Sequence, residues 1–151
     1  MGHSTTIAVA FLLFGMATTT MGCSTKFSIS DFEQLYCKAS VVFRGEITSA
    51  MSSQAVNEQG KRIESSRITF QVEQIFKGKD GFGDDEISVL HTWREGVDNC
   101  QSGFFRDQSQ YFLVFASGSS YLTVDTCHHS FPMDCVPWAF LHSLRDGNVQ
   151  C

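Results

Sequence analysis

Hydrophobic residues in this chain occur in short segments, most of which alternate with polar residues in the manner of β-strands. β-Branched and aromatic residues are concentrated in these segments, which favours strands over helices. The segments predicted as strands are Val41–Thr48, Ile68–Lys77, Glu86–Trp93, Tyr111–Ala116 and Tyr121–Asp125. Gly45 interrupts the first of them, and a glycine there suits a bulge at which a barrel strand bends.

The segments between the predicted strands are polar and rich in turn-forming residues. Ser117–Ser120 is short and contains glycine, so it predicts a hairpin turn between the fourth and fifth strands. Gly78–Asp85, rich in glycine and aspartate, predicts a second turn. Ala50–Lys61 is polar and has no periodicity, and we expect it to be an exposed connection.

Two short helices are predicted, one before and one after the strands. In the first, Ser30 and Glu33 have the spacing of a capping box. The apolar residues of this helix lie three and four positions apart, on one face: Phe32, Leu35 and Tyr36. The second helix covers Pro137–Leu144, with proline at its first position and Asp146-Gly147 as its stop signal.

The size and composition of the chain bound the fold. It has 151 residues, of which 42% are hydrophobic, enough for one domain with its own core. A mainly β protein with five antiparallel strands and flanking helices fits a small barrel such as the five-stranded OB-fold. Strand number alone does not separate such a barrel from a sandwich.

The N-terminus has the features of an export signal. An apolar run, Ile7–Met16, is too short to span a bilayer and is followed by small residues that end at Gly22. We therefore expect residues 1–22 to be a signal peptide, residues 23–151 to form a secreted domain, and Cys23 to become the N-terminus. A lipoprotein signal ending at Cys23 is the alternative, but Thr20 stands where leucine is expected.

All the cysteines lie after the predicted cleavage point, at positions 23, 37, 100, 127, 135 and 151. An even number in a small exported chain predicts a disulfide framework. Their spacing contains no Cys-x-x-Cys pair, which disfavours a zinc cluster. Cysteines that are all paired leave no thiolate nucleophile. The residues alone leave the connectivity open.

The remaining chemistry-bearing residues do not form a recognisable active site. No nucleophile elbow, zinc-protease helix motif or phosphate-binding glycine loop is present in the sequence. His128 and His129 are adjacent, so on a strand they would point to opposite faces and chelate a metal poorly. The net charge of -5 provides no basic surface for nucleic acid or an anionic membrane. We expect a binding protein without a cofactor rather than an enzyme.

Several short phrases of the sequence occur in the order and spacing of one known family. They begin with Cys23 and with Cys37, which follows a short helix, and continue through Val41–Ile47, Ile75–Gly78, Val97–Cys100, Tyr111–Val114, Thr126–Cys127 and Val136–Trp138. Together they resemble the N-terminal, netrin-like domain of the tissue inhibitors of metalloproteinases and extend over nearly all of residues 23–151. The resemblance implies an OB-fold barrel stapled by disulfides.

The resemblance also implies a mode of action. In this family the α-amino group and backbone carbonyl of the first cysteine, here Cys23, chelate the catalytic zinc of a target protease. Ser24 would point into the S1′ pocket, and Thr25 and Lys26 would continue along the cleft. Partners would be secreted zinc metalloproteinases, bound by a monomer.

The matching family bridges imply Cys23–Cys100 and Cys37–Cys151. The first would place Val97, Asp98 and Asn99 beside the N-terminal strand. We call Cys23–Lys26 and Val97–Cys100 together the inhibitory edge.

The sequence departs from the family where Thr25 replaces its usual second cysteine. Cys127 then loses its usual partner, and a local Cys127–Cys135 bridge would use all six cysteines. We expect a looser edge and weaker or narrower inhibition. The alternative is a secreted netrin-like module that binds another extracellular protein without touching a zinc site.

Overall fold

The computed structural model describes residues 27–78, 85–95, 110–124 and 129–151, which form a mainly β domain. The helices are α1 (Ile29–Lys38) and α2 (Trp138–Arg145). The strands are β1 (Val41–Val56), β2 (Arg62–Lys77), β3 (Glu86–Arg94), β4 (Tyr111–Ala116), β5 (Leu122–Thr123) and β6 (Ser130–Pro132). A short 3-10 helix, Met133–Cys135, follows β6.

The strands form one curled, mixed sheet in the order β5-β3-β2-β1-β4-β6, which makes a half-barrel. Every pair is antiparallel except β3 and β5, which are parallel. β5 also meets the end of β4, because Ser117 and Thr123 form a bridge and exchange hydrogen bonds of 2.8 and 3.0 Å. The predicted hairpin between β4 and β5 is therefore reduced to this bridge, and β5 makes its ladder with β3 instead.

β1 and β2 bend at three interruptions of their pairing. One falls between Arg44 and Gly45, which confirms the bend predicted at this glycine. A Cβ atom at Gly45 would lie 2.7 Å from the carbonyl oxygen of Gln71, so only glycine allows the strands to approach this closely. Bends of this kind let a sheet curl instead of remaining open.

The curled sheet has a hydrophobic core on each face, because β4 and the first residues of β1, Val41–Phe43, are buried on both sides. In β4, Phe112 and Val114 face the inside of the curl, whereas Leu113 and Phe115 face the helices. This double burial explains why the segment reads as a continuous apolar run rather than an alternating one. The helix-facing core is built mainly from phenylalanines: Phe32, Phe115, Phe131 and Phe140.

The predicted α1 is present, but its cap lies two residues earlier than expected. Ser28, not Ser30, is the N-cap, and its side chain accepts a hydrogen bond from the Asp31 amide at 3.2 Å. The Asp31 carboxylate in turn accepts from the Ser28 amide at 2.7 Å. Aspartate thus takes the place of the Glu33 carboxylate in the predicted box, and these donors lower the pKa of Asp31.

The second helix also agrees with its prediction, with a shift of one residue. Pro137 is the N-cap of α2 rather than its first residue, and Gly147, at φ 67°, follows its end. Phe140 and Leu144 bury one face of the helix against the core. Neither α1 nor α2 has the length and apolar composition needed to cross a membrane, and they are the α-helices of the described segments.

The largest departure from the sequence prediction lies in the segment expected to be an irregular connection. Ala50–Val56 continues β1, and β2 begins at Arg62, so only Asn57–Lys61 forms a turn. The segment is exposed, as predicted, but it is one half of a long two-stranded ribbon. β6 and the 3-10 helix after it were not predicted from the sequence, since each is only three residues long.

Candidate functional site

The residues of the predicted inhibitory edge, Cys23–Lys26 and Val97–Cys100, lie outside the described residues. The same holds for residues 1–22, the predicted signal peptide, and for Cys127. The structure does describe the residues next to these segments in the chain, Phe27 after Lys26 and Glu95 before Val97. The contacts of these neighbouring residues show how the ends of the candidate site are attached to the domain.

Phe27, directly after Lys26, is anchored in the helix-facing core. Its ring lies 5.0 Å from the ring of Phe131, in edge-to-face geometry, and 5.8 Å from that of Phe32. Such aromatic pairs contribute about 0.5–1.5 kcal/mol each beyond the burial of their area. Ser28 then caps α1. The chain is therefore fixed to the core from the first residue after the inhibitory edge.

A disulfide fixes the other end of α1. Cys37 and Cys151 are bonded, with their Cα atoms 5.4 Å apart, as the family pairing implies. The Lys77 ammonium donates hydrogen bonds to the carbonyls of Tyr36 and Cys37 at 2.7 and 3.1 Å. A cation suits this position, because the carbonyls at the end of a helix carry partial negative charge. α1 is thus held by the core, by the C-terminus and by β2.

Cys135 is also disulfide-bonded. Its partner lies outside the described residues, so the predicted Cys127–Cys135 bridge stays a prediction. Cys135 ends the short 3-10 helix, and Met133 of that helix packs against the helix-facing core beside Phe131. The bridge of Cys135 therefore joins another part of the chain to the same core that holds Phe27.

Glu95 is the last described residue before the predicted connector Val97–Cys100, and it is clamped to the turn of the β1–β2 ribbon. Its amide donates to the carbonyl of Arg62 at 3.0 Å, and its carboxylate accepts from the Arg62 amide at 3.0 Å. The Arg62 guanidinium lies 3.5 Å away. Hydrogen bonding from the Arg62 amide is the main cause that lowers the pKa of Glu95. The ribbon thus fixes the point from which the connector leaves β3.

A groove of about 280 Å³ opens between the outer face of the sheet and β6. Arg44 lies in it, with its guanidinium carbon 4.9 Å from the centre of the Tyr111 ring. The Arg44 Nε is 2.8 Å from a Glu73 carboxylate oxygen, a close ion pair without the alignment of a hydrogen bond. Met133 and Asp134 also line the groove. Because Glu73 already neutralises the arginine, the groove has no net positive charge with which to select an anion.

An exposed aromatic surface lies at the start of α2. Trp138 is 76% exposed, and its ring packs edge-on at 5.0 Å against that of His142. The His142 Nδ1 lies 2.8 Å from an Asp146 carboxylate oxygen. These residues recur every four positions and therefore form one row along the helix. A large exposed tryptophan in a held orientation is typical of protein-binding surfaces.

The described residues contain no group of three or more metal-ligating side chains close enough to hold an ion. Of the two adjacent histidines, only His129 is described, and its carbonyl accepts from the Phe115 amide at 2.7 Å. His91 is buried in β3, with its Nδ1 3.2 Å from the carbonyl oxygen of Val124. These contacts place both histidines in the structural framework of the sheet.

Sequence reasoning missed the residues that support the candidate site. Phe27 lies outside the predicted strands and helices, although a phenylalanine just before a helix cap is a recognisable anchor signal. The Arg62–Glu95 clamp joins residues 33 positions apart, and no local pattern predicts such a contact.

No model of a known protein family matches this chain, and no curated protein matches it either.

Proposed function

We propose that the chain is a secreted inhibitor of zinc metalloendopeptidases of the matrix metalloproteinase type, acting without catalysis of its own. Residues 23–151 would form the inhibitory domain after removal of residues 1–22. The α-amino group and carbonyl of Cys23 would bind the zinc of the target protease. Ser24 would enter the S1′ pocket, and the rest of the inhibitory edge would lie along the cleft.

The observation that carries this proposal is the anchoring of the chain immediately after the inhibitory edge. Phe27 is packed in an aromatic core, Ser28 caps α1, and Cys37–Cys151 ties that helix to the C-terminus. A chelating N-terminus held this close to a fixed point loses little conformational entropy on binding. On the other side, the Arg62–Glu95 clamp fixes the start of the connector.

We propose that the curled half-barrel is, more specifically, a netrin-like OB-fold. Support comes from the pairing pattern, in which β1 joins β2 and β4, β2 joins β3, and β3 joins β5 in parallel. The Ser117–Thr123 bridge brings β5 back to β4. A small Greek-key barrel of five strands needs a closure of this kind between its last strands.

The mechanism follows from the chemistry of the protease zinc. A catalytic zinc has three protein ligands and an open position for the water that attacks the substrate. Binding of Cys23 there would displace the water and stop hydrolysis. The amine must be neutral to donate its lone pair, and a free α-amino group has a pKa of about 7.7–8.0. Inhibition should therefore weaken as the pH falls below that range.

A second candidate function is that of a netrin-like module that binds an extracellular protein without contacting zinc. The exposed Trp138 supports this second function, because it offers a binding surface on α2. None of the residues of the inhibitory edge belongs to α2. Thr25, in place of the family's second cysteine, also removes one anchor that the inhibitory mechanism normally uses.

Inhibition assays against purified matrix metalloproteinases test the proposal. The exported chain, with Cys23 confirmed as its N-terminus by mass spectrometry, should inhibit peptide hydrolysis stoichiometrically. A small hydroxamate that chelates the same zinc should compete with it, because both ligands need the open position. Inhibition that is unaffected by the hydroxamate would place the contact elsewhere, and a lack of inhibition across the panel would favour the binding module.

A further inference from the structure

Among the described residues, the outer half of β1 has a partner strand on one side only. β4 covers only Val41–Glu46 of β1, whereas β2 pairs with β1 as far as Val56. The segment Thr48–Val56 therefore has one paired and one open side, and among the described residues its partners are all in β2. We call this segment the ribbon edge. Met51 and Val56 on it are 62% and 65% exposed.

The hydrogen-bond pattern of the ribbon shows which backbone groups are open. Asn57 donates its amide to the carbonyl of Lys61, so this pair closes the ribbon. Hydrogen-bonded and non-bonded pairs alternate along an antiparallel ladder. The next pair, Val56 and Arg62, is therefore non-bonded. This agrees with the Arg62 carbonyl, which accepts its hydrogen bond from the Glu95 amide on the other side. The residues whose N–H and C=O groups point away from β2 are Ala50, Ser52, Gln54 and Val56.

The sequence of the ribbon edge contains neither of the residue types that normally prevent strand edges from pairing. Natural edges are blocked by charged side chains, proline, or a covering loop or helix. No residue from Ile47 to Asn57 is charged, and none is proline. The exposed methionine and valine add apolar surface that would be removed from water by a partner strand.

A second copy of the same edge fits this surface. In an antiparallel pair with its twofold axis at Ser53, Ala50 lies opposite Val56 and Ser52 lies opposite Gln54. Each of these is a bonded pair that exchanges two hydrogen bonds, so every open group of the four residues is satisfied. Met51 lies opposite Ala55 in a non-bonded pair, where side chains are closest, and no like charges face each other.

We propose that two copies of this chain associate through their ribbon edges, forming a weak dimer with a continuous sheet across the twofold axis. This replaces the monomer expected from the sequence. Charge is the argument for a second copy: no residue from Ile47 to Asn57 is charged, so two identical edges meet without the like-charge repulsion that would oppose a twofold contact. The edge contains none of the residues proposed to reach a protease, so this inference and the proposed function stand or fall separately.

Sedimentation velocity of the exported chain tests the proposal. Concentrations up to about 1 mM are needed, because an interface made of one pair of strand edges is small and binds weakly. The mean mass should rise with concentration towards that of a dimer. Gln54→Pro removes an outward amide that β2 does not use, and should raise the dissociation constant about tenfold or more. Gln54→Thr keeps the amide and is the matched control, with a dissociation constant close to that of the parent. Matching circular dichroism spectra would verify that both variants fold.

Ser53→Cys tests the register directly. Across a non-bonded antiparallel pair the Cα atoms lie about 4.5 Å apart, within the range of a disulfide. Mild oxidation should therefore link two chains through Cys at position 53, whereas Ser65→Cys, on the neighbouring internal strand, should not link. A constant monomer mass over the whole concentration range would overturn the proposal. So would a dimer that persists unchanged in Gln54→Pro, or equal crosslinking at both positions.

Discussion

Removal of the Cys37–Cys151 disulfide, by Cys37→Ser with Cys151→Ser, should lower the free energy of unfolding of the domain substantially. The bridged cysteines are 114 positions apart, so the bond restricts nearly the whole unfolded chain. The chain-entropy relation gives a loss of about 4.8 kcal/mol for a loop of this length. The bridge of Cys135 already shortens the unfolded chain, so we expect a measured loss of about 2–5 kcal/mol.

Equilibrium unfolding in urea would measure this effect. The variant should unfold at a lower midpoint, and its m-value should rise because the unfolded chain becomes more expanded. Helix α2 should still fold, since Phe140 and Leu144 are buried independently of the bridge. A loss below about 1 kcal/mol with an unchanged m-value would refute the entropic reasoning.

Three further substitutions test individual parts of the structure. Phe27→Ala should lower the free energy of unfolding by about 2 kcal/mol by removing two aromatic contacts, and should weaken inhibition; Phe27→Leu is the milder control, and equal inhibition by both would contradict the anchoring role. Gly45→Ala should lower the free energy of unfolding by about 1–3 kcal/mol, because the new Cβ would meet the Gln71 carbonyl. An unchanged midpoint of thermal unfolding would show that the strands can separate there. The pKa of Asp31 is lowered in the folded state by the Ser28 donors, so its contribution to stability is present above the unfolded value of 3.8 and is lost as the pH falls through the folded pKa. Asp31→Asn should flatten this acid dependence of the unfolding free energy, and an identical profile for both proteins would contradict the capping role.

The sequence predicted the buried elements best, because burial leaves a strong pattern. β4 was predicted with its observed limits, Tyr111–Ala116, and the bend at Gly45 was anticipated from a glycine inside a strand. The apolar stripe of α1 was also correct. In β4 and α1 the residues that specify the element are also those that pack into the core.

The β1 half of the ribbon was missed because every residue of Ala50–Val56 is exposed. Without a buried face, Ala50–Val56 carries no alternation, and its strand structure depends on cross-strand pairing with β2. The misplaced cap has a similar cause. Ser28 and Ser30 are both suitable N-caps, and the choice between them depends on Phe27 and Phe32 packing into the same core. Such choices are made by tertiary contacts rather than by local sequence.

The central claim is that the free amine of Cys23 inhibits a metalloproteinase, and one matched pair of proteins tests it directly. The exported chain beginning at Cys23 and the same chain with one additional N-terminal alanine should be titrated against the same protease. The alanine leaves the described domain intact but moves the amine away from the zinc. We predict that the second protein inhibits at least about a hundredfold less than the first, because altering a group that merely orients a metal ligand costs about 10–100-fold and the added alanine displaces the ligand itself. Equal inhibition by both proteins would contradict amine chelation.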